Sequence, residues 1–384
     1  MRIRRKPLHG LPTANVRISR GDLRRVLLDA AVADADDAWQ HSHVRWGSQC
    51  QCFTRLDDGR LRVIVGRRRS SAVQPRQMAG KGELNRDDGD ESQRRVSEDR
   101  VCDLLVAADG AHSKLRPFVR PGDKLEYVGA VLRGGLSLFE EGSVPSPPGR
   151  DWGFVVSDGG VSCFVSPVDS RTVFWAVGNL ERDPVLELRS GSNRDDEAEA
   201  AAPAAVIGRV RELGAVFGER FATLTARTEP KTVFCTNARD KRPFAHDDIL
   251  ARGWPVLFIG DSNHALSPFA GFGANLALAD GWDLAEQLCR AKGGSLAEAV
   301  AAYDALSGPR ANRVLAASRR TMRAAHGAGW WAWLYWVVLV AGRCAAWIGG
   351  MVMGAASAVA CWRSGGAPGA GARARAGARA GGAG

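Results

Sequence analysis

Residues 260–275 read Gly260-Asp261-Ser262-Asn263-His264-Ala265-Leu266-Ser267-Pro268-Phe269-Ala270-Gly271-Phe272-Gly273-Ala274-Asn275. Directly before them, Val256-Leu257-Phe258-Ile259 is a short apolar run without alternation, which predicts a strand buried on both faces of a parallel sheet. Asp261 follows that strand, where a carboxylate faces the crevice in which open α/β sheets bind ligands. Beyond Gly271 the spacing predicts a long helix. It has Leu276, Leu284 and Leu288 on one stripe and Leu278, Trp282, Ala285 and Cys289 on another, so burial on more than one side is expected. Gly271 and Gly273 sit immediately before that helix, where backbone N–H groups and the helix dipole favour a negatively charged ligand edge.

Working outward, Val101–Ala108 is a second unalternated apolar run and predicts another strand buried on both faces. It ends in Asp109-Gly110, which reads either as a ligand-facing carboxylate beside a tight turn or as an ordinary strand-to-helix turn. A short helix is expected over Ser113–Val119. Far upstream, Ile18-Ser19-Arg20-Gly21-Asp22 leads into a helix over Asp22–Ala33. The guanidinium fork of Arg20 suits a phosphate or ribityl oxygen, or is a surface arginine at a helix N-terminus. Strands are expected at Val44–Trp46 and Leu61–Val65, and Gly66–Arg100 is polar enough to read as a solvated insertion. From Tyr127 to Val177 several strands lie between turn residues, with a hairpin of Val161–Val165 and Thr172–Val177, so an antiparallel sheet in a second domain is expected. Residues 189–202 read as a polar, Ala-rich link, and helices are expected over Val206–Phe217 and Leu296–Ala325.

The 384 residues carry a net charge of +10, are 45% apolar and 24% charged, and so suit a globular chain of two domains. The arginines are scattered and no zinc-finger or RRM signature accompanies them, so no nucleic-acid partner is expected. Eight cysteines without paired CxxC spacing imply reduced thiols, an intracellular setting and no cysteine-based metal site. The start, MRIRRKPLHG, lacks the apolar core of a secretory signal. No GxSxG is present, which removes the usual hydrolase signature. Gly329–Trp362 is apolar apart from Arg343 and opens with Trp330, Trp331, Trp333 and Trp336, so membrane association through 329–362 is an expectation. The Gly/Ala/Arg tail after it is expected to be disordered.

In their order, SRGDLR (19–24), DLLVAADGAHSKLR (103–116) and GDSNHALSPFAGFGANLALADGWDLAEQL (260–288) resemble the class A FAD-dependent monooxygenases, the family of para-hydroxybenzoate hydroxylase and the tetracycline-inactivating hydroxylases. The resemblance covers roughly residues 16–325. It implies an α/β fold with an FAD-binding, Rossmann-like parallel sheet, an antiparallel-sheet substrate domain and a helical C-terminus. The division that follows puts the first part of the FAD-binding domain at 1–122, with 66–100 as its insertion. The substrate domain falls at 123–235, the second FAD-binding part at 236–325, the apolar segment at 326–362 and the tail at 363–384. By the resemblance Arg20 and Asp261 contact FAD. Asp109 and Gly110 serve both the flavin and NADPH (or NADH), and Pro268, Gly271, Gly273 and Asn275 line the isoalloxazine. The implied reaction hydroxylates an aromatic or polycyclic small molecule with molecular oxygen, through a flavin hydroperoxide. No catalytic side chain and no metal are implied, and His264 packs beneath the loop.

The family opens with a strand–GxGxxG–helix unit for the ADP pyrophosphate, which the residues before Ser19 do not contain. An N-terminally incomplete sheet is therefore expected, belonging to an incomplete version of a longer enzyme or to a degenerate relative, with weak or no FAD binding by this chain alone. The alternative function is that of an inactive relative binding a hydrophobic ligand or partner.

Overall fold

A computed structural model of the chain describes residues 18–32, 44–67, 96–144, 152–189, 197–291, 294–327 and 337. The first helix, α1 (Arg20–Ala31), begins two residues earlier than its apolar spacing predicts because Ser19 is the N-cap: its Oγ accepts the Asp22 N–H at 3.0 Å. Strands β1 (Ser48–Arg55), β2 (Leu61–Arg67) and β3 (Val96–Cys102) form an antiparallel sheet in that order. The strand expected at Val44–Trp46 is not formed. A turn at Trp46-Gly47, with Gly47 at φ +69°, delays it to Ser48. β3 takes in Val96–Arg100, which the polar composition had assigned to the insertion; 68–95 lie outside the described residues.

The run Val101–Ala108 divides between two sheets. Val101 and Cys102 finish β3, the chain breaks at Asp103-Leu104, and β4 (Leu105–Ala107) pairs in parallel with β10 (Val256–Phe258), Leu105 opposite Val256 and Ala107 opposite Phe258. All three β10 residues are buried, as the unalternated run predicts. In β4, by contrast, Val106 is 38% exposed and, among the described residues, no strand pairs with its far edge. Burial on both faces thus holds for β10 and fails for β4. Phe53, Leu61, Ile249 and Phe258 form the core joining this parallel pair to the three-stranded sheet.

Beyond the short helix α2 (Arg116–Val119) the expected antiparallel domain appears as five strands. These are β5 (Glu126–Leu138), β6 (Gly153–Val156), β7 (Ser162–Pro167), β8 (Thr172–Leu180) and β9 (Phe234–Asp240), in the order β6-β7-β8-β5-β9. One face packs Val173, Trp175 and Val177 against Val210 of α3 (Glu197–Gly214) and Phe221 and Leu224 of α4 (Glu219–Ala226). α3 starts inside the stretch expected as a link, since a run of alanines carries high helix propensity. The opposite face meets the end of α8, described next.

Three further helices follow the short α5 (Asp247–Ala251): α6 (Asp261–His264), α7 (Gly273–Arg290) and α8 (Leu296–His326). Leu276 and Leu284 of α7 are buried, but Leu278, Ala285 and Cys289 are exposed and Trp282 is 73% exposed. The expected second buried stripe therefore faces outward, because no described element packs on it. Among the described residues no helix is long and apolar enough to cross a membrane. The expectations for 329–362 and for the tail lie outside the described residues, Val337 apart.

Candidate cofactor site

β4 and β10 are parallel and in register, so both deliver their following turns to one edge of the sheet. Gly260, at φ +59°, makes the turn after β10; a Cβ there would lie 3.0 Å from the Ala277 Cβ of α7, so glycine also lets the turn pass under that helix. Its N–H donates to Asp280 Oδ2 at 2.9 Å. Asp280 is wholly buried and gathers three more partners: His264 Nε2 at 2.5 Å, Ser307 Oγ at 2.8 Å and Arg310 Nη2 at 2.9 Å. Burial alone would raise its pKa, but the hydrogen bonds from His264, the Gly260 N–H and Ser307 outweigh that and hold the carboxyl below its usual range. This clamp fixes where the next residue, Asp261, stands.

The two turns are also tied to each other. Ser262 Oγ donates to the Ala107 carbonyl at 2.7 Å, and the buried Arg116 donates to the carbonyls of Ser262 (2.8 Å) and Ala111 (3.2 Å). Asp109 uses one carboxylate oxygen to accept the N–H groups of Lys114 (2.9 Å) and Leu115 (3.4 Å). Its side chain therefore organises the turn into α2. Gly110, at φ +84°, needs the freedom of glycine there. Asp261 reaches the surface. Partial loss of solvent raises its pKa, which His264 and Arg20 oppose and Asp280 reinforces. Arg20 is thus within electrostatic reach of Asp261. Arg20 also lines an open hollow of about 410 Å³ along α1, with Leu23, Leu27, Leu28 and Trp46.

Pro268 opens a single 3-10 turn, Gly271 closes it in the left-handed region at φ +68°, and α7 starts at Gly273. Pro268, Gly271 and Asn275 are exposed. α7 has no side-chain cap, and Leu276 is the first residue to bond back, to the Phe272 carbonyl at 3.0 Å. Among the described residues no acceptor is found for the N–H groups of Gly273, Ala274 and Asn275, as the first turn of a helix leaves them. A Cβ on Gly273 would meet no atom within 4 Å, and no positive φ demands glycine at that position. The open space above Gly273 fits a flat ligand pressed against backbone, and the free N–H groups fit an anionic oxygen on its edge. His264 is buried with Nε2 on Asp280, so it packs under the loop.

The structure brings Asp109, Gly110 and Asp261 of the sequence-predicted set to one edge of the sheet and ties Arg20 to Asp261 by charge alone. Sequence reasoning missed Asp280 and Arg116. The signal for Asp280 is an acid set between Leu276 and Leu284 on the apolar stripe of a helix, a position that burial forbids unless the charge is paired.

A parallel sheet edge with two aspartate turns, an open glycine loop entering a long helix and an antiparallel sheet alongside define a flavin-binding protein of the class A monooxygenase fold. The chain matches the family described as FAD binding domain over residues 59–318, and it belongs to that family. Monooxygenase cfoF of Aspergillus candidus is 40% identical over 321 residues, 83% of this chain and 67% of cfoF. The FAD-dependent urate hydroxylase of Klebsiella oxytoca is 26% identical over 226 residues, 59% of this chain and 53% of the hydroxylase. The chain thus spans about two thirds of the first relative and about half of the second. The crystal structure of Klebsiella pneumoniae HpxO complexed with FAD and uric acid has the same fold, with a TM-score of 0.57 at 21% identity, covering 85% of this chain and 71% of that one.

Proposed function

We propose that this chain holds the flavin and the substrate of an FAD-dependent monooxygenase that hydroxylates an aromatic or polycyclic small molecule. The observation carrying this reading is the open backbone of Gly271–Asn275 beside Asp261, in electrostatic reach of Arg20. The chemistry supplied by bound FAD is the transfer of reducing equivalents from NADPH or NADH to molecular oxygen, with insertion of one oxygen atom into an electron-rich ring. Asp261 accepts a ribityl hydroxyl, and the Arg20 guanidinium meets a phosphate or ribityl oxygen. The first-turn N–H groups of α7 would hold the electron-rich edge of the flavin ring, with Pro268 and Gly271 lining it. The antiparallel sheet excludes water and orients the substrate. A second reading, an inactive relative that binds a hydrophobic ligand, is supported by the unpaired edge of β4 and the exposed Val106.

Oxygen uptake separates the two. With added FAD and NADPH, the protein is expected to consume oxygen in step with an aromatic substrate, and Asp261→Ala to abolish the uptake. Ligand binding without any flavin-dependent uptake supports the second reading.

A further inference from the structure

The open face of the five-stranded sheet carries a row of aromatic rings. Alternation sends Val173, Trp175 and Val177 beneath α3 and α4, so Phe164, Phe174 and Phe234 occupy the other face, where all three are half-buried. Ring centroids are 6.1 Å apart from Trp152 to Phe164, from Phe164 to Phe174 and from Phe174 to Phe234, the last pair within 8° of parallel. Phe174 and Phe234 stand on strands that are not neighbours. β5 separates them and contributes Gly134, where a Cβ would lie 2.6 Å from the Phe234 ring and 2.5 Å from the Trp175 carbonyl. Glycine at that position is what lets the row continue across the sheet.

Between the rings the same face presents Ser166, Ala176 and Thr236; its first charged residue along β9 is Asp240, which pairs with Arg319. At its other end the face meets the glycine loop. Phe269 packs with Ala130, Ala238 and Met322, and its ring stands edge-on to His326 at 5.2 Å. Ala238 and Phe234 are four residues apart on β9, about 13 Å by strand rise.

We propose that the Phe164–Phe174–Phe234 row is the wall on which the substrate stacks, and that the substrate is an uncharged, elongated fused-ring aromatic. One end lies on Phe174 and Phe234 while the reacting end reaches the Phe269 loop; this rests on the flavin reading of that loop. A flat neutral π-system gains offset stacking from each ring it covers. A carboxylate drawn onto the same face loses hydration, and the cation at the end of that face, Arg319, is already paired with Asp240 and Glu126. A single ring is too short to touch both ends.

2-Anthrol and anthracene-2-carboxylate share a ring system and differ in charge at neutral pH. Fluorescence anisotropy of each against the full chain, without FAD, is expected to show at least tenfold tighter binding of 2-anthrol, with phenol a poor competitor. Phe174→Leu and Phe234→Leu are expected to weaken 2-anthrol about fivefold through lost stacking. Equal affinity for the two probes, or no loss in either variant, overturns the proposal, and the probe comparison stands even where a variant fails to fold. Anthrol affinity that falls as the protein self-associates makes a second copy the occupant and also overturns it. FAD binding is followed in parallel by flavin fluorescence. Anthrol selectivity without FAD binding overturns the flavin reading alone, and FAD binding without anthrol selectivity overturns the proposal alone.

Discussion

Asp280→Asn removes one charge and almost no volume from the buried clamp beneath the cofactor turn. The wild-type carboxylate accepts from the Gly260 N–H and His264 on Oδ2 and from Ser307 and Arg310 on Oδ1. An asparagine can keep one oxygen on one of these pairs and must turn its NH2 toward the other, so two donors lose their acceptor. Hydrogen bonds to a charged partner contribute about 1.5–3 kcal/mol each, and breaking a buried ion pair costs about 3–5 kcal/mol, so a loss near 3 kcal/mol is expected. Asp280→Ala removes the acceptor of all four donors, leaving Arg310 with Asp283 alone, and belongs at the upper end, about 5 kcal/mol. Urea titration followed by far-UV circular dichroism measures the loss. The sign with pH follows from the lowered pKa. The clamp's contribution is complete above the ordinary carboxylate pKa of about 4 and fades as pH falls through the lower folded value. The gap between wild type and Asp280→Asn should therefore close below about pH 4. An Asp280→Asn protein within about 1 kcal/mol of wild type at pH 7, or a gap that widens on acidification, refutes the reasoning.

Three other outcomes follow from the same geometry. Gly273→Ala adds a methyl group in open space at the start of a helix, so its unfolding midpoint should hold or rise slightly while FAD affinity, read by flavin fluorescence, falls about tenfold. Asp261→Asn should stabilise the flavin-free protein at pH 7 and lose FAD. Its raised pKa makes the wild type less stable as pH rises through the carboxylate range, so the difference in thermal midpoint should vanish near pH 3. His326 is buried, which pushes its imidazole below the ordinary range. Its Nδ1 faces the Met322 carbonyl at 2.8 Å, so that nitrogen carries the proton and Nε2 accepts from Ser162 at 2.8 Å. Wild-type stability should then be complete above about pH 6.5 and decline on acidification, and His326→Gln should flatten the thermal midpoint over that window.

The order of elements was legible where local signals are strong. The unalternated run Val256–Phe258 became a buried strand, the hairpin of β7 and β8 formed where turn residues separated two apolar runs, and α7 began at the second glycine. Val101–Ala108 misled because its sequence carries no mark of the break at Asp103-Leu104, which only the pairing of its two halves with different sheets creates. The outward stripe of α7 misled for a related reason: periodicity reports that a face is apolar but not what covers it. In the site, glycines and aspartates were visible as turn chemistry, whereas the Asp280 clamp needed partners sixteen to thirty residues away, on either side. The aromatic row was invisible because its members come from strands whose order the sequence does not state.

The central claim is that the Gly271–Asn275 turn cups the flavin beside Asp261, in electrostatic reach of Arg20. Amide hydrogen exchange with and without saturating FAD tests it most directly, since the N–H groups of Gly273, Ala274 and Asn275 have no acceptor inside their helix. They should exchange fast in the free protein and slow sharply with FAD, together with Gly260–Asp261 and the first turn of α1. Unchanged exchange at 273–275 while FAD protects some other surface contradicts the account.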